Sequence, residues 1–293
     1  MKKFQVITDS TSDVEKNLRD ELGLDYAAML TSLDGKEYKA CLDWSEISPV
    51  DFYNQMRKGA KAKTVLVQTG GFEEKFEQYL SMGLDVLYIA CSSKLSGSVN
   101  NAKIVANELK EKYPNNKVIC IDSLRSNYAQ GMLALTACKL ANEGKAIDEV
   151  AAFVEEEKLK YQTYATVGSL NWLKEAGRIK ASAAFFGNLF GVKPIILGDA
   201  KGYNYAFKKV KGRKTALDEL IAIIKDRIDP NSILFIEHAD SINDANYIKE
   251  ALKDTVKEIN ISYLGPIIGS SIGPDSITIN FYGKKVEIAS EEE

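Results

Sequence analysis

The sequence predicts an α/β fold of two domains: a parallel sheet covered by helices over residues 1–160, and a mixed α+β domain over residues 161–293. At 293 residues the chain is about twice the commonest domain length. In its first half, short and nearly continuous apolar runs alternate with segments of helical period, as in sheets whose strands are covered on both faces. After about residue 160 the alternation gives way to strands paired across glycine-rich turns.

Phe4–Thr8 is an apolar strand that runs into the polar cluster Asp9, Ser10, Thr11, Ser12 and Asp13. Tyr26–Ser32 and Lys36–Ala40 flank Asp34-Gly35, a hairpin signal. Ser48 before Pro49 opens a helix, because serine caps a free N–H and proline has none to cap; Gly59 stops it. Phe72–Met82 puts Phe72, Phe76 and Leu80 on one helical face. Leu84–Ala90 is a buried-type strand, Ser92–Gly97 breaks it, and a helix follows to about Lys112. Lys117–Ile121 is the next strand, ending at Asp122-Ser123, and a long helix runs from Tyr128 to Glu143. This is the grammar of a Rossmann-like parallel sheet.

In the second half Tyr161–Val167 is a strand and Leu170–Glu175 a helix stopped by Gly177. Ala181–Phe190 reads as a small-residue helix carrying Phe185, Phe186 and Phe190. Pro194–Leu197 and Tyr203–Val210 form an antiparallel pair around Gly198–Gly202. Thr215–Arg227 and Ala245–Leu252 are helices; Ser232–Glu237, Ile259–Leu264 and Ser276–Tyr282 are strands. Ser290–Glu293 reads as a disordered acidic tail.

Composition narrows the function. Thirty-eight Lys+Arg against forty-one Asp+Glu give a net charge of -3, so no global field favours nucleic acid or an anionic membrane. The stretch Ala181–Val192 is too short to span a bilayer, and the N-terminus lacks the apolar core of a signal peptide; a cytoplasmic location is expected. Cys41, Cys91, Cys120 and Cys138 are scattered without zinc-site spacing, and are expected to be reduced. Glycine-rich nucleotide motifs are absent, so no cofactor and no metal are expected. The single histidine, His238, lacks triad partners in the sequence and reads as a structural histidine. The expectation is a binding protein without catalytic residues.

Three strand ends carry hydroxyls: Thr8 to Ser12, then Ser92, Ser93 and Ser96, then Ser123 beside Asp122. Ligands of parallel sheets bind outside these carboxyl ends, and hydroxyls beside helix N-termini suit a carboxylate or other small anion. Helix capping is the competing role for any one of these serines. Lys208, Lys209, Lys211, Arg213 and Lys214 place five cations in seven residues, an exposed segment that serves either as a solvated turn or as a face for an acidic partner.

Several strings resemble the DegV family, in order and at family spacing. They are Thr8-Asp9-Ser10-Thr11-Ser12-Asp13, Ser92-Ser93-Lys94-Leu95-Ser96-Gly97-Ser98, Asp122-Ser123, Leu173 to Ile179, Val192 to Ile196, Lys211-Gly212-Arg213-Lys214 and His238-Ala239-Asp240. The resemblance implies a two-domain protein that holds a long-chain fatty acid in a tunnel between the domains. It would present the carboxylate to a separate kinase subunit for acyl-phosphate formation, with transient membrane contact for lipid exchange. The implied ligand set is Ser93 and Thr64 at the carboxylate with Arg178 behind them, and Ser92, Ser270 and Ser271 nearby. Lys211, Arg213 and Lys214 resemble the segment that faces the kinase.

Two strings depart from the family pattern. Thr64-Val65-Leu66-Val67-Gln68 stands where the family has Thr-Ser-Gln-Pro-Ser, and Ser271 stands where it has a histidine. A hydroxyl can donate a hydrogen bond but carries no charge. Two alternatives therefore stay open: a divergent binder of another apolar ligand without kinase coupling, and a hydrolase or transferase dependent on Ser93.

Overall fold

The computed structural model describes residues 3–181, 185 and 191–290. The chain order in the first half is β1 (Phe4–Asp9), α1 (Lys16–Leu22), β2 (Asp25–Ala27), β3 (Leu30–Leu33), β4 (Lys36–Lys39), α2 (Pro49–Arg57), β5 (Ala62–Val65), α3 (Thr69–Leu80), β6 (Asp85–Ala90), α4 (Ser98–Lys112), β7 (Val118–Asp122), α5 (Asn127–Asn142) and α6 (Ile147–Glu157). It continues with β8 (Tyr161–Thr166), α7 (Leu170–Ala176), β9 (Val192–Gly198), β10 (Asn204–Lys211), α8 (Arg213–Arg227), β11 (Ile233–His238), α9 (Ile242–Leu252), β12 (Glu258–Tyr263), α10 (Pro266–Ile272) and β13 (Ile277–Tyr282).

The fold is α/β, with a parallel sheet β2-β1-β6-β7 and a separate mixed sheet β10-β9-β8-β13-β11-β12. A third, small antiparallel sheet β4-β3-β5 stands beside them. Its hairpin turns at Asp34 and Gly35, both at positive φ (48° and 85°), which matches the twist of the two strands. Ser48 caps α2 by accepting from the Asp51 amide, and Gly177 closes α7 in the left-handed conformation.

The structure corrects three readings. Tyr26–Ser32 is not one strand. Asp25–Ala27 pairs with β1 in the parallel sheet, whereas Leu30–Leu33 belongs to the small sheet. The Met29 amide donates to Ser10 Oγ at 2.9 Å where the chain changes sheets. The basic segment is not a turn: Lys208, Lys209 and Lys211 lie in β10, and Arg213 and Lys214 open α8. Ser290 is not part of a loose tail; it is buried, and both its amide and its hydroxyl donate to Asp199 Oδ2. The helix expected over Ala181–Phe190, with Phe186 and Phe190, lies outside the described residues apart from Ala181 and the buried Phe185.

Two helices position the site. α5 lies between the sheets, packed on β1 on one side and on β8 and β13 on the other. A helix buried on both sides cannot show a single apolar stripe, which is why its sequence is apolar almost all round. Tyr128 of α5 stacks on Phe235 of β11 with ring centroids 3.9 Å apart. α10 seats on the small sheet, α2 and α7. Its contact is close because Gly269 and Gly273 carry no Cβ: an added methyl would meet the Tyr53 ring hydroxyl at 2.3 Å or the Trp172 ring at 2.2 Å.

Candidate functional site

A cavity of about 390 Å³ opens where the carboxyl ends of β1, β6 and β7 face β8, β9 and α10. It has the size of a small-molecule site, roughly 300–1,000 Å³. Met29, Leu66, Val167, Leu173, Ile196 and Ile268 give it apolar walls. Ser93, Thr64, Arg178 and Ser271 line the same cavity, so the fold brings together four residues that lie far apart in sequence. Ser93 and Arg178 are exposed, whereas Ala165, Val167, Leu173 and Ile196 are buried, so the polar groups mark the solvent side. Thr64, Arg178 and Ser271 also border a second cavity of about 290 Å³ that contains Lys61, Glu175 and Trp172.

Ser92 and Ser270 are placed differently. Ser92 is fully buried; its Oγ donates to the Gly202 carbonyl at 2.7 Å and accepts from the Lys94 amide. It ties the loop after β6 to the β9–β10 turn and leaves its neighbour Ser93 to face the cavity. Ser270 is buried and bonds to the Pro266 carbonyl and to Thr31 Oγ1, and it borders only the second cavity. Ser271 Oγ donates back to the Ile267 carbonyl at 3.3 Å. Arg178 donates to the Ala176 carbonyl, and its own carbonyl accepts from Asn204, another cavity residue.

The hydroxyl-rich end of β1 is held by Asp9. Its buried carboxylate accepts from the Thr11 amide at 3.0 Å, the Thr11 hydroxyl, the Tyr88 hydroxyl at 2.7 Å and the Cys91 amide at 3.1 Å. Four donors satisfy the buried charge and lock the ends of β1 and β6 together. Burial beside Asp9 pushes the Cys91 thiol far above its ordinary value, so it is a neutral wall atom and no nucleophile.

Sequence reasoning missed the floor of the cavity. Thr163 and Ala165 on β8 and Thr278 on β13 line it from one face of the mixed sheet. Thr163 Oγ1 bonds to Asn280 Oδ1 at 2.7 Å and Thr278 Oγ1 to Glu237 Oε2 at 3.0 Å. Both hydroxyls are thereby used beneath the surface. The period-two run Thr163, Ala165, Val167 was the available signal. Arg125 was also missed. It is 2% exposed, donates to the carbonyls of Gly198 (2.8 Å) and Asp199 (2.5 Å), and burial lowers its guanidinium to about 10. It clamps the loop after β7 onto the β9–β10 turn.

The chain matches, over residues 3–284, the family model described as "Uncharacterised protein, DegV family". It belongs to the DegV family. A DegV domain-containing protein of Clostridium perfringens is 38% identical over 291 residues, covering 98% of this chain and all of the relative. Among solved structures, a DegV family protein from Thermus thermophilus described for its fatty acid binding superposes with a TM-score of 0.86 at 26% identity, over 96% of this chain and all of that one. DegV of Bacillus subtilis, described as a fatty acid binding protein, gives 0.83 at 26% identity, over 97% and 100%.

Within this DegV fold the basic segment is largely engaged. Lys208 pairs with Glu219, Arg213 with Asp244, and Lys214 with Asp218, while Lys209 lies over the Phe185 ring. Lys211 is exposed at the end of β10. His238 is buried beside Tyr263, its Nδ1 accepts from the Ser241 amide at 3.2 Å, and burial lowers its pKa. It does not line the cavity, so Ser93 has no histidine beside it there. Among the described residues no group of His, Cys, Asp and Glu could hold a metal ion, and no helix is long and apolar enough to cross a membrane.

Proposed function

We propose that this protein binds a long-chain fatty acid in the cavity between the parallel and mixed sheets, with the carboxylate at Ser93 and Thr64 and with Arg178 and Ser271 beside it. The carrying observation is the cavity itself: apolar walls, hydroxyls at the solvent side, and no histidine beside Ser93. Structures described as fatty-acid-binding, with 26% identity over nearly the whole chain, support the reading. So does the energy scale. Burying methylenes contributes ~0.8 kcal/mol each, on the order of 10 kcal/mol for a sixteen-carbon chain before entropy costs. One charge-assisted hydrogen bond adds about 1.5–3 kcal/mol. The tail sets affinity and the hydroxyls set orientation.

In this reading the chain is a binding subunit without catalysis of its own, made of domains 1–160 and 161–293 that enclose the ligand. It works in the cytoplasm, meets membranes transiently, and offers the carboxylate to a separate kinase subunit near Lys211, Arg213 and Lys214. Mass spectrometry of an organic extract of the purified protein tests the ligand: one equivalent of a long-chain fatty acid is expected, and a polar ligand or none refutes it. Acyl-phosphate formation with an added fatty acid kinase tests the coupling separately.

A further inference from the structure

We infer that the fatty acid held in this cavity carries a hydroxyl along its chain, received by Asn127 and Ser126 where α5 begins. The inference rests on the fatty-acid reading above and narrows it to a substrate class. Four buried side chains with oxygen or nitrogen groups line the cavity: Thr11, Ser126, Asn127 and Thr278. Thr11 spends its hydroxyl on Asp9 and Gln130, and Thr278 donates to Glu237. Ser126 donates to Asn127 Oδ1 at 3.2 Å. Asn127, 4% exposed, is left with an Nδ2 that donates to no group among the described residues. That nitrogen is not sealed in protein, and the space that Asn127 borders is the cavity.

One end of this amide stays unmet in either orientation. Turned over, Nδ2 would donate to Ser126 Oγ, and Oδ1 would then be the end without a partner. The backbone adds to the demand. The amides of Asn127 and Tyr128, which open α5, have no acceptor among the described residues, whereas Ala129 donates to Asn280 Oδ1 at 3.3 Å. Ser126 supplies no side-chain cap to them. The start of α5 is also held in place. The Arg125 amide donates to Ser123 Oγ, which donates back to the Arg125 carbonyl, and the Arg125 guanidinium is tied to the β9–β10 turn. Asn127 itself sits at φ 56°, a left-handed conformation that asparagine tolerates.

The chemistry of the unmet group selects its ligand. A plain methylene laid against it strips its water and returns no hydrogen bond, which is the costly case for a buried polar group. A hydroxyl both accepts and donates, so it satisfies the Asn127 amide in either orientation and can also donate to a Ser126 lone pair. A keto oxygen only accepts, and serves one orientation alone. A second carboxylate would be buried without a counter-charge, because the Arg125 guanidinium is spent on the Gly198 and Asp199 carbonyls and does not line the cavity. Buried walls of Ala165, Val167, Leu173 and Ile196 accept the rest of the chain.

Displacement of a fluorescent acyl probe from the full-length protein, by stearic acid and by a positional series of monohydroxystearic acids, tests the inference. One hydroxyl position should bind about tenfold tighter than stearic acid, and positions remote from it should bind no tighter than stearic acid. Asn127→Gly keeps a residue at ease in the left-handed conformation and removes the amide. It should erase the preference while stearic acid binding holds, and Ser126→Ala should reduce it. The ligand comparison on the wild type needs no variant, so it decides even where a variant fails to fold. Tight binding of stearic acid with no hydroxyl position preferred means that water suffices for Asn127; it overturns the inference and leaves the fatty-acid reading intact. Failure of every acid to bind overturns both. Equal weakening of all the acids in Asn127→Gly assigns the residue to the fold or to the carboxylate, and overturns the inference as well.

Discussion

Replacing Ala165 by leucine should shorten the hydrocarbon that the cavity accepts. Ala165 lies on β8 between Thr278 of β13 and Ile196 of β9, is 7% exposed, and lines the cavity floor. Its Cβ points into a space of about 390 Å³, so three added carbons enter that space and not the sheet. If each excluded methylene forfeits ~0.8 kcal/mol, three cost about 2.4 kcal/mol, a roughly 50-fold weaker Kd for a chain that fills the wild-type cavity. An acid shorter by three methylenes should bind wild type and variant alike. Displacement of a fluorescent acyl probe by a homologous series of fatty acids reads both values. Thermal stability of the empty protein should hold or rise, because the substitution fills space without overpacking. Equal weakening at every chain length, or no weakening at any, would refute the placement of the tail.

Three further outcomes are expected. Ser93→Ala should weaken a fatty acid by about 10- to 100-fold, from the loss of one charge-assisted hydrogen bond, yet leave a fatty acid methyl ester unchanged; isothermal titration of both ligands checks this. Arg125→Met strips donors from two buried carbonyls, at about 1–3 kcal/mol each, and should lower the urea midpoint with an unchanged m value. Asp25 is pulled upward by burial, but the Lys75 and Tyr79 hydrogen bonds outweigh that and hold it below 3.8. A lowered acid stabilises above its ordinary pKa, so the penalty of Asp25→Asn should be full at pH 6 and fade in acid as pH falls through the lowered value, as measured by denaturant titration.

Local signals made much of the fold legible. Asp34-Gly35, Ser48-Pro49 and Gly177 each specify one backbone event by their own chemistry, and each occurs where the sequence places it. The run Tyr26–Ser32 misled because two successive strands in different sheets are equally apolar, and the break between them is held by partners remote from it, the Ser10 hydroxyl and the Ala40 amide on Met29. α10 was invisible for a related reason. Gly265, Gly269 and Gly273 mark close contacts with Asp13, Tyr53 and Trp172, residues remote in sequence. Among the hydroxyls, position in the chain could not separate Ser92 from Ser93, since adjacent residues point to opposite sides and only the fold decides which side is the cavity.

A sequence reading assigns roles one residue at a time, whereas a binding site belongs to several segments at once. Thr64, Ser93, Arg178 and Ser271 come from four separate stretches of chain and become one site only where α10, seated on β5 and α7, faces the strand ends of β6 and β9 across the cavity.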